Sequence, residues 1–251
     1  MQNTLKSAAL ALLSLLPGLA LADSLPELQA RFETTQCSTP CKKPVKREWF
    51  MLREASQVEL RDLNDDHSDL WRLQADGSLE YVYLMHGLQR AIDYAPVDLR
   101  LLGINASESK WHGLSQLVSR EELEGMQKKA GRAYQGMATE IYKGKIGNIK
   151  TEVTWIPELA VPLKLQYQYP KHTVTVQLKQ RYQGKLAQGK LPITPTTEAM
   201  LEAYQHVDFT DIGDMEHDPI ATAWLSQAKG APGVHVHHHE AEHVGENSHV
   251  H

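Results

Sequence analysis

The clearest pattern in the chain is a two-residue alternation of apolar and polar positions between 149 and 182. Ile149, Thr151, Val153 and Trp155 alternate with Lys150, Glu152 and Thr154. Val161, Leu163, Leu165, Tyr167 and Tyr169 alternate with polar residues and Pro162, and Val174, Val176, Leu178 and Tyr182 do the same. Because strand side chains point alternately to opposite faces, these are three strands, each apolar on one face only. Turns at Pro157-Glu158 and Pro170-Lys171 join them into an antiparallel meander whose dry face must be covered. Pro162 has no N–H to give to a ladder, so its position lies off the interior bonds or on an edge. Val161, Leu163, Leu165, Tyr167, Val174, Val176 and Leu178 are therefore expected to face one apolar layer or cavity.

Elsewhere the pattern is mixed. Strands are predicted over 49–52, 58–63, 70–74 and 79–85, with Asp76-Gly77 as a hairpin signal and Leu79, Tyr81, Tyr83 and Met85 on one side. Gly87 ends that run and a further strand covers 88–94. Three helices are expected. The first spans 24–35, where Ser24 and Glu27 match a capping box and Leu25, Leu28 and Phe32 share a face. The second starts at the box Ser119–Glu122 and continues through Met126 and Lys128-Lys129 to Gly131, with basic residues suiting its C-terminal dipole. The third opens at Thr194-Pro195 and runs to about Val207, with Met200, Leu201 and Tyr204 inward. No internal repeat is visible in the sequence.

The ends of the chain change the picture more than its average composition does. Lys6, an apolar run from Ala8 to Leu21 and the Ala20-Leu21-Ala22 site describe a cleaved secretory signal over 1–22, too short and too punctuated for a membrane span. Export to a bacterial periplasm follows, and no cysteine after the cleavage site argues against a lipid anchor. The expected remainder is a folded domain over 23–220 and a linker with a His-rich tail over 221–251. Loss of Lys6 takes the formal charge from −5 to −6, which argues against a nucleic-acid partner.

Seven of the 13 histidines lie in the last 17 residues: His235, His237, His238, His239, His243, His249 and His251. Imidazole is the commonest side-chain ligand of Zn²⁺, Cu²⁺ and Ni²⁺, so this tail predicts binding or buffering of a divalent transition metal. Its sparse apolar content predicts that it adds little to folding. His239-Glu240-Ala241-Glu242-His243 spells H-E-x-x-H, but without an apolar helix face to bury it the match is a coincidence of composition. Asp208, Asp211, Asp214, Glu216, His217 and Asp218 crowd into 11 residues beside Met215. Asx turns at a helix exit explain them; a second metal site on Asp214, Glu216, His217 and Asp218 is the functional alternative.

The only cysteines, Cys37 and Cys41, predict a disulfide closing a small loop in an oxidising compartment. Redox and haem motifs need C-x-x-C, and the spacing here is one residue longer. The stretch from Gly184 to Leu191 misses the phosphate-loop pattern, with Leu191 in place of Ser/Thr and Pro192 where a helix should start, so a turn is expected. His86 and His112 stand alone and suggest ordinary surface or core histidines. No nucleophile–base pair is legible, so an enzyme is not expected.

The run Trp155-Ile156-Pro157-Glu158-Leu159-Ala160-Val161-Pro162-Leu163-Lys164, preceded by Glu140-Ile141-Tyr142, resembles the LolA/LolB-like lipoprotein-carrier superfamily. It covers about residues 136–182, and the N-terminal half follows by element order. The resemblance implies an α+β fold, a curved antiparallel half-barrel with helices across its concave face and an apolar cavity between them. It also implies carriage of a lipid or other apolar ligand, in place of or beside metal binding, and leaves room for a periplasmic protein partner.

Overall fold

The computed structural model describes residues 25–182 and 193–214. Twelve strands among them form one open sheet. In chain order these are β1 Leu28–Ser38, β2 Val45–Arg53, β3 Gln57–Asp62, β4 His67–Leu73, β5 Leu79–Met85 and β6 Arg90–Tyr94, followed by helices α1 Pro96–Leu101, α2 Glu108–Gln116 and α3 Arg120–Glu124. Then come β7 Gln127–Ala130, β8 Glu140–Ile146, β9 Ile149–Ile156, β10 Val161–Gln168, β11 His172–Tyr182, α4 Glu198–Ala203 and β12 Gln205–Asp208. The sheet order is β12-β6-β5-β4-β3-β2-β1-β11-β10-β9-β8-β7. Every pair is antiparallel except β12 with β6. The architecture is α+β and dominated by the sheet.

Two apolar layers result. The main one runs across the sheet, from Met85 and Ile92 through Met51 and Phe32 to Leu178, Leu165 and Val153, and is covered by Leu99, Trp111, Leu114, Val118 and Leu123 of the 96–124 segment. On the other face Leu70, Val82, Leu84 and Ala91 form a smaller cluster with Leu201 of α4 and Tyr204, which follows it. Strand β5 is thus covered on both faces, which explains why the residues after Glu80 form a continuous buried run rather than an alternation. Among the described residues the β9–β11 half has no second layer, so its alternation is clean.

The hairpins β5–β6 and β9–β10 turn by the same device. A single 3₁₀ turn, His86–Leu88 or Pro157–Leu159, is followed by one left-handed residue: Gln89 at φ 51° and ψ 48°, Ala160 at φ 47° and ψ 49°. A likeness of backbone is present where no repeat of sequence exists. At the β4–β5 hairpin, Gly77 donates to the Gln74 carbonyl and takes φ 82°, a conformation that glycine adopts at no steric cost.

Three helix expectations are corrected. Residues 24–35 do not form a helix: from Leu28 the chain is strand β1, because Leu28, Ala30, Phe32 and Thr34 are buried in alternation with half-buried Gln29, Arg31 and Glu33. Leu28 and Phe32 satisfy both periods, and pairing on both sides with β2 and β11 decides for the strand. The Ser119–Glu122 capping box forms, but its helix stops at Glu124 with Gly125 as cap, and Lys128-Lys129 sit in exposed strand β7. A short lysine-bearing strand blunts a sheet edge. The last helix also stops early, at Ala203, because the following residues pair as β12 with β6. Pro162 stays off the interior hydrogen bonds, as expected: β10 pairs with β11 only from Lys164 onwards, and on the β9 side the register shifts between Pro162 and Lys164, an irregularity that spares the missing donor.

Candidate functional site

The candidate site is the main apolar face together with the three helices that cover it. Each helix is short and begins with its own cap. Asp98 accepts the Ala95 N–H at 2.8 Å at the start of α1, Ser107 accepts the Lys110 N–H at 3.0 Å on α2, and Ser119 and Glu122 bond reciprocally on α3. Inward anchors are few: Leu99 from α1, Trp111 and Leu114 from α2, then Leu117, Val118 and Leu123. Val97, Leu101 and Leu102 face outward, with Leu101 79% exposed.

Two cavities flank the segment between α1 and α2. One of about 330 Å³ is lined by Gly103, Ile104, Asn105, Ser107, Ser109, Lys110, Gly113, Leu114, Ser119 and Glu122. The other, of about 250 Å³, is lined by Ser78, Leu79, Pro96, Leu99, Arg100, Ile104, Asn105 and Ala106. Ile104 and Asn105 belong to both. Leu79, Leu99 and Leu114 belong to the main core, so both cavities abut the apolar face.

Arg53 ties this cover to the sheet. Its side chain, 1% exposed, donates from Nε to the Pro26 carbonyl at 3.0 Å and from Nη1 to the Ser115 and Ala160 carbonyls at 2.7 and 3.1 Å; Nη2 donates to the Leu159 carbonyl at 2.6 Å. Ser115 is in the last turn of α2, and Leu159 and Ala160 end the Pro157–Leu159 turn. A cation therefore sits where unpaired carbonyls converge. Burial lowers its pKa to about 10, still well above neutrality, so it remains a guanidinium.

The apolar face also holds polar groups at its β4 end. Asp69, 4% exposed, accepts a hydrogen bond from the Tyr81 hydroxyl at 2.5 Å; burial, then the Asp69 charge, push the Tyr81 pKa well up and keep it a donor. His67 lies two residues away, buried against the Tyr83 ring, with Nδ1 lacking a hydrogen-bond partner.

On the opposite face a second buried polar chain holds α4. Ser68 Oγ donates to Glu59 Oε1 at 2.6 Å and lies 2.7 Å from His86 Nε2, while His86 Nδ1 lies 2.8 Å from the Tyr204 hydroxyl. With the Ser68 proton committed to Glu59, Nε2–H must donate to Ser68 and the Tyr204 hydroxyl to Nδ1. Thr196 adds its N–H and hydroxyl to the Glu59 carboxylate at 3.1 and 3.0 Å. Burial lowers the His86 pKa to about 4, so the ring is neutral. Ser68 is fully buried, so this serine–histidine contact is a structural clasp without access to substrate. His86 is thus more than an isolated core histidine, whereas His112 lies 3.8 Å from Glu108 on the same helix.

Of the residues singled out in the sequence, Val161, Leu165, Tyr167, Val176 and Leu178 are buried in the main core, and Leu163 and Val174 are half-buried against it. They lie packed in the face the helices cover. Cys37 and Cys41 form a disulfide with a Cα–Cα distance of 5.3 Å. Asp208 lies in β12, and Asp211 and Asp214 in the 3₁₀ turn Phe209–Asp214. Glu216, His217, Asp218, the whole His235–His251 tail, the signal segment and the 184–191 turn lie outside the described residues. Among the described residues no group of three or more His, Cys, Asp or Glu side chains is placed to hold a metal ion. No described helix is long and apolar enough to cross a membrane.

No protein-family model matches the chain, and no curated protein matches it. Solved structures do. The chain is similar to LolA superfamily proteins. One from Nitrosomonas europaea has 8% identity, with 64% of this chain and 88% of that one covered, at a TM-score of 0.25. Mycobacterium tuberculosis lipoprotein LppX has 12% identity, with 61% and 86% covered, at a TM-score of 0.30. PNGF-II has 7% identity and a TM-score of 0.41, and this chain, 75% covered, spans about a third (33%) of its length. At such values no function passes from these proteins to this one, and the chain's own residues must carry any reading of its role.

Proposed function

We propose that this is an exported periplasmic carrier that holds an apolar ligand between the sheet and the 96–124 helices, the sheet curving round them as a half-barrel. The observation that carries this reading is the nature of the cover. The larger of the two apolar layers among the described residues lies beneath helices of six, nine and five residues. Helices this short have little stability of their own and depend on packing, so they open more readily than the sheet beneath them. A permanent core has no need of so divided a cover, nor of cavities along it. The protein is not proposed to be an enzyme: the groups nearest an acid–base arrangement are sealed beneath α4.

Saturable uptake of N-phenyl-1-naphthylamine by the full chain tests the reading, with quenching of Trp111 by a brominated fatty alcohol as the local readout. One site per chain and quenching lost in Trp111→Phe are expected. Absence of saturable uptake overturns it.

The histidine tail supports a second activity, the binding of Zn²⁺, Cu²⁺ or Ni²⁺, with the metal ion as partner and cofactor. Seven imidazoles at irregular spacing offer several overlapping ligand sets, so single His→Ala changes should have little effect. Calorimetric metal titration of the full chain against one ending at Gly230 decides. Equal stoichiometry and affinity in the two would exclude the tail and move attention to Asp214, Glu216, His217 and Asp218.

A further inference from the structure

Lys110 is a half-buried cation of the helical cover. It lines the 330 Å³ cavity, and among the described residues its ammonium makes neither an ion pair nor a hydrogen bond. Burial alone lowers its pKa, with no carboxylate close enough to oppose the shift. Glu122, also on the cavity wall, has Oε2 committed to the Ser119 N–H at 2.7 Å. Ser107 accepts the Lys110 backbone N–H and so keeps its hydroxyl proton to give. Asn105 contributes an amide to the same wall. Ile104 and Leu114 supply its apolar lining, and Ile104 also lines the 250 Å³ cavity, beside Leu79, Leu99 and Arg100. A half-buried cation with donors around it and apolar side chains beside it matches a molecule with one anionic oxygen group and a hydrocarbon body.

We infer that the cavity at the start of α2 binds the anionic head, a carboxylate or phosphate, of a single amphiphile, with Lys110 as counter-ion and the hydrocarbon directed along Ile104 and Leu114. This rests on the apolar-carrier reading and narrows its ligand class. A carboxylate paired with a partly desolvated ammonium gains a charge-assisted hydrogen bond that an alcohol of equal length lacks.

The test uses the full chain and three probes: palmitate, hexadecanol and inorganic phosphate, each competed against N-phenyl-1-naphthylamine or titrated by calorimetry. Palmitate should bind about tenfold or more tightly than hexadecanol. Lys110→Gln should remove that difference by weakening palmitate binding, and Lys110→Arg should retain most of it. Thermal melting of each variant in the absence of ligand separates loss of binding from loss of fold. Equal affinities for palmitate and hexadecanol in the unaltered protein overturn the headgroup site while sparing the apolar carrier. An undiminished palmitate preference in Lys110→Gln also overturns it. Binding of inorganic phosphate as tightly as palmitate would assign the cavity to a free anion and overturn the amphiphile. Failure of all three probes refutes both readings together.

Discussion

Replacing Arg53 by methionine should be among the most damaging single changes in the chain. Methionine keeps most of the side-chain length and its apolar contacts, so the substitution isolates the guanidinium. Four carbonyls, of Pro26, Ser115, Leu159 and Ala160, lose a charged donor at distances between 2.6 and 3.1 Å. Hydrogen bonds to a charged group contribute about 1.5–3 kcal/mol each. That gross gain is offset in the native protein by several kcal/mol for bringing the ion out of water. The net loss on removal should then be about 3–5 kcal/mol, as when one partner of a buried ionic arrangement is deleted. Arg53→Lys keeps the charge but cannot fork to carbonyls from four directions, and should lose about 2 kcal/mol. Urea unfolding monitored by tryptophan fluorescence gives the global figure. Hydrogen exchange gives a local one: amides of Trp111 to Gln116 should lose protection in Arg53→Lys before those of β1 and β11 do. If Arg53→Met lies within about 1 kcal/mol of the unaltered protein, the converging carbonyls find other donors and Arg53 does not anchor the cover.

Leu165, fully buried in the main core, should not tolerate aspartate: an unpaired charge there should abolish the cooperative thermal transition, and a normal melt would refute the layer assignment. The Cys37–Cys41 bond should survive purification without reductant, seen as an absence of alkylation by intact mass, and its reduction should cost less than the roughly 3 kcal/mol of a 15-residue loop. The His86 pKa falls on folding, from 6.5 to about 4, so the unfolded chain binds the extra proton first. Stability present above pH 6.5 should decline as pH falls towards 4, and His86→Gln should flatten that part of the urea-midpoint profile; an unchanged slope would show that His86 is not its source.

The meander 149–182 was legible because only one of its faces is dry, so polarity and position agree at nearly every residue. Strand β1 was not, since Leu28 and Phe32 satisfy a helical spacing as well, and the neighbours that settle the matter, β2 and β11, lie far along the chain. The Ser119–Glu122 cap was readable from four residues, whereas the end of its helix goes with the Gly125 cap and the pairing of β7 at the sheet edge. Strand β12 exists only because β6 offers an edge 115 residues earlier in the chain, from Arg90 to Gln205. The polar centres were the least visible. Arg53 meets carbonyls 27 to 107 positions away, and Glu59 meets Thr196 at a separation of 137. No local pattern marks one arginine or one histidine as the member of such a set. Cys37 and Cys41 were readable for the opposite reason, being close in sequence and alone.

The strand at the middle of the sheet is the first in the chain. β1 pairs on one side with β2, its neighbour in sequence, and on the other with β11, from Gln29↔Tyr182 to Ser38↔His172. A chain delivered N-terminus first can build β1 to β6 as a local meander at once, but one edge of β1 must wait for some 140 residues to follow. The β8 to β11 meander can also assemble alone, so maturation should proceed as two half-sheets that join along a single seam. Until that seam closes, the row of free N–H and C=O groups on β1 is open to any other extended chain. Newly made protein should therefore be most prone to aggregate before Tyr182 arrives, and a folding helper that shields one strand edge would act here rather than at the finished molecule's rim.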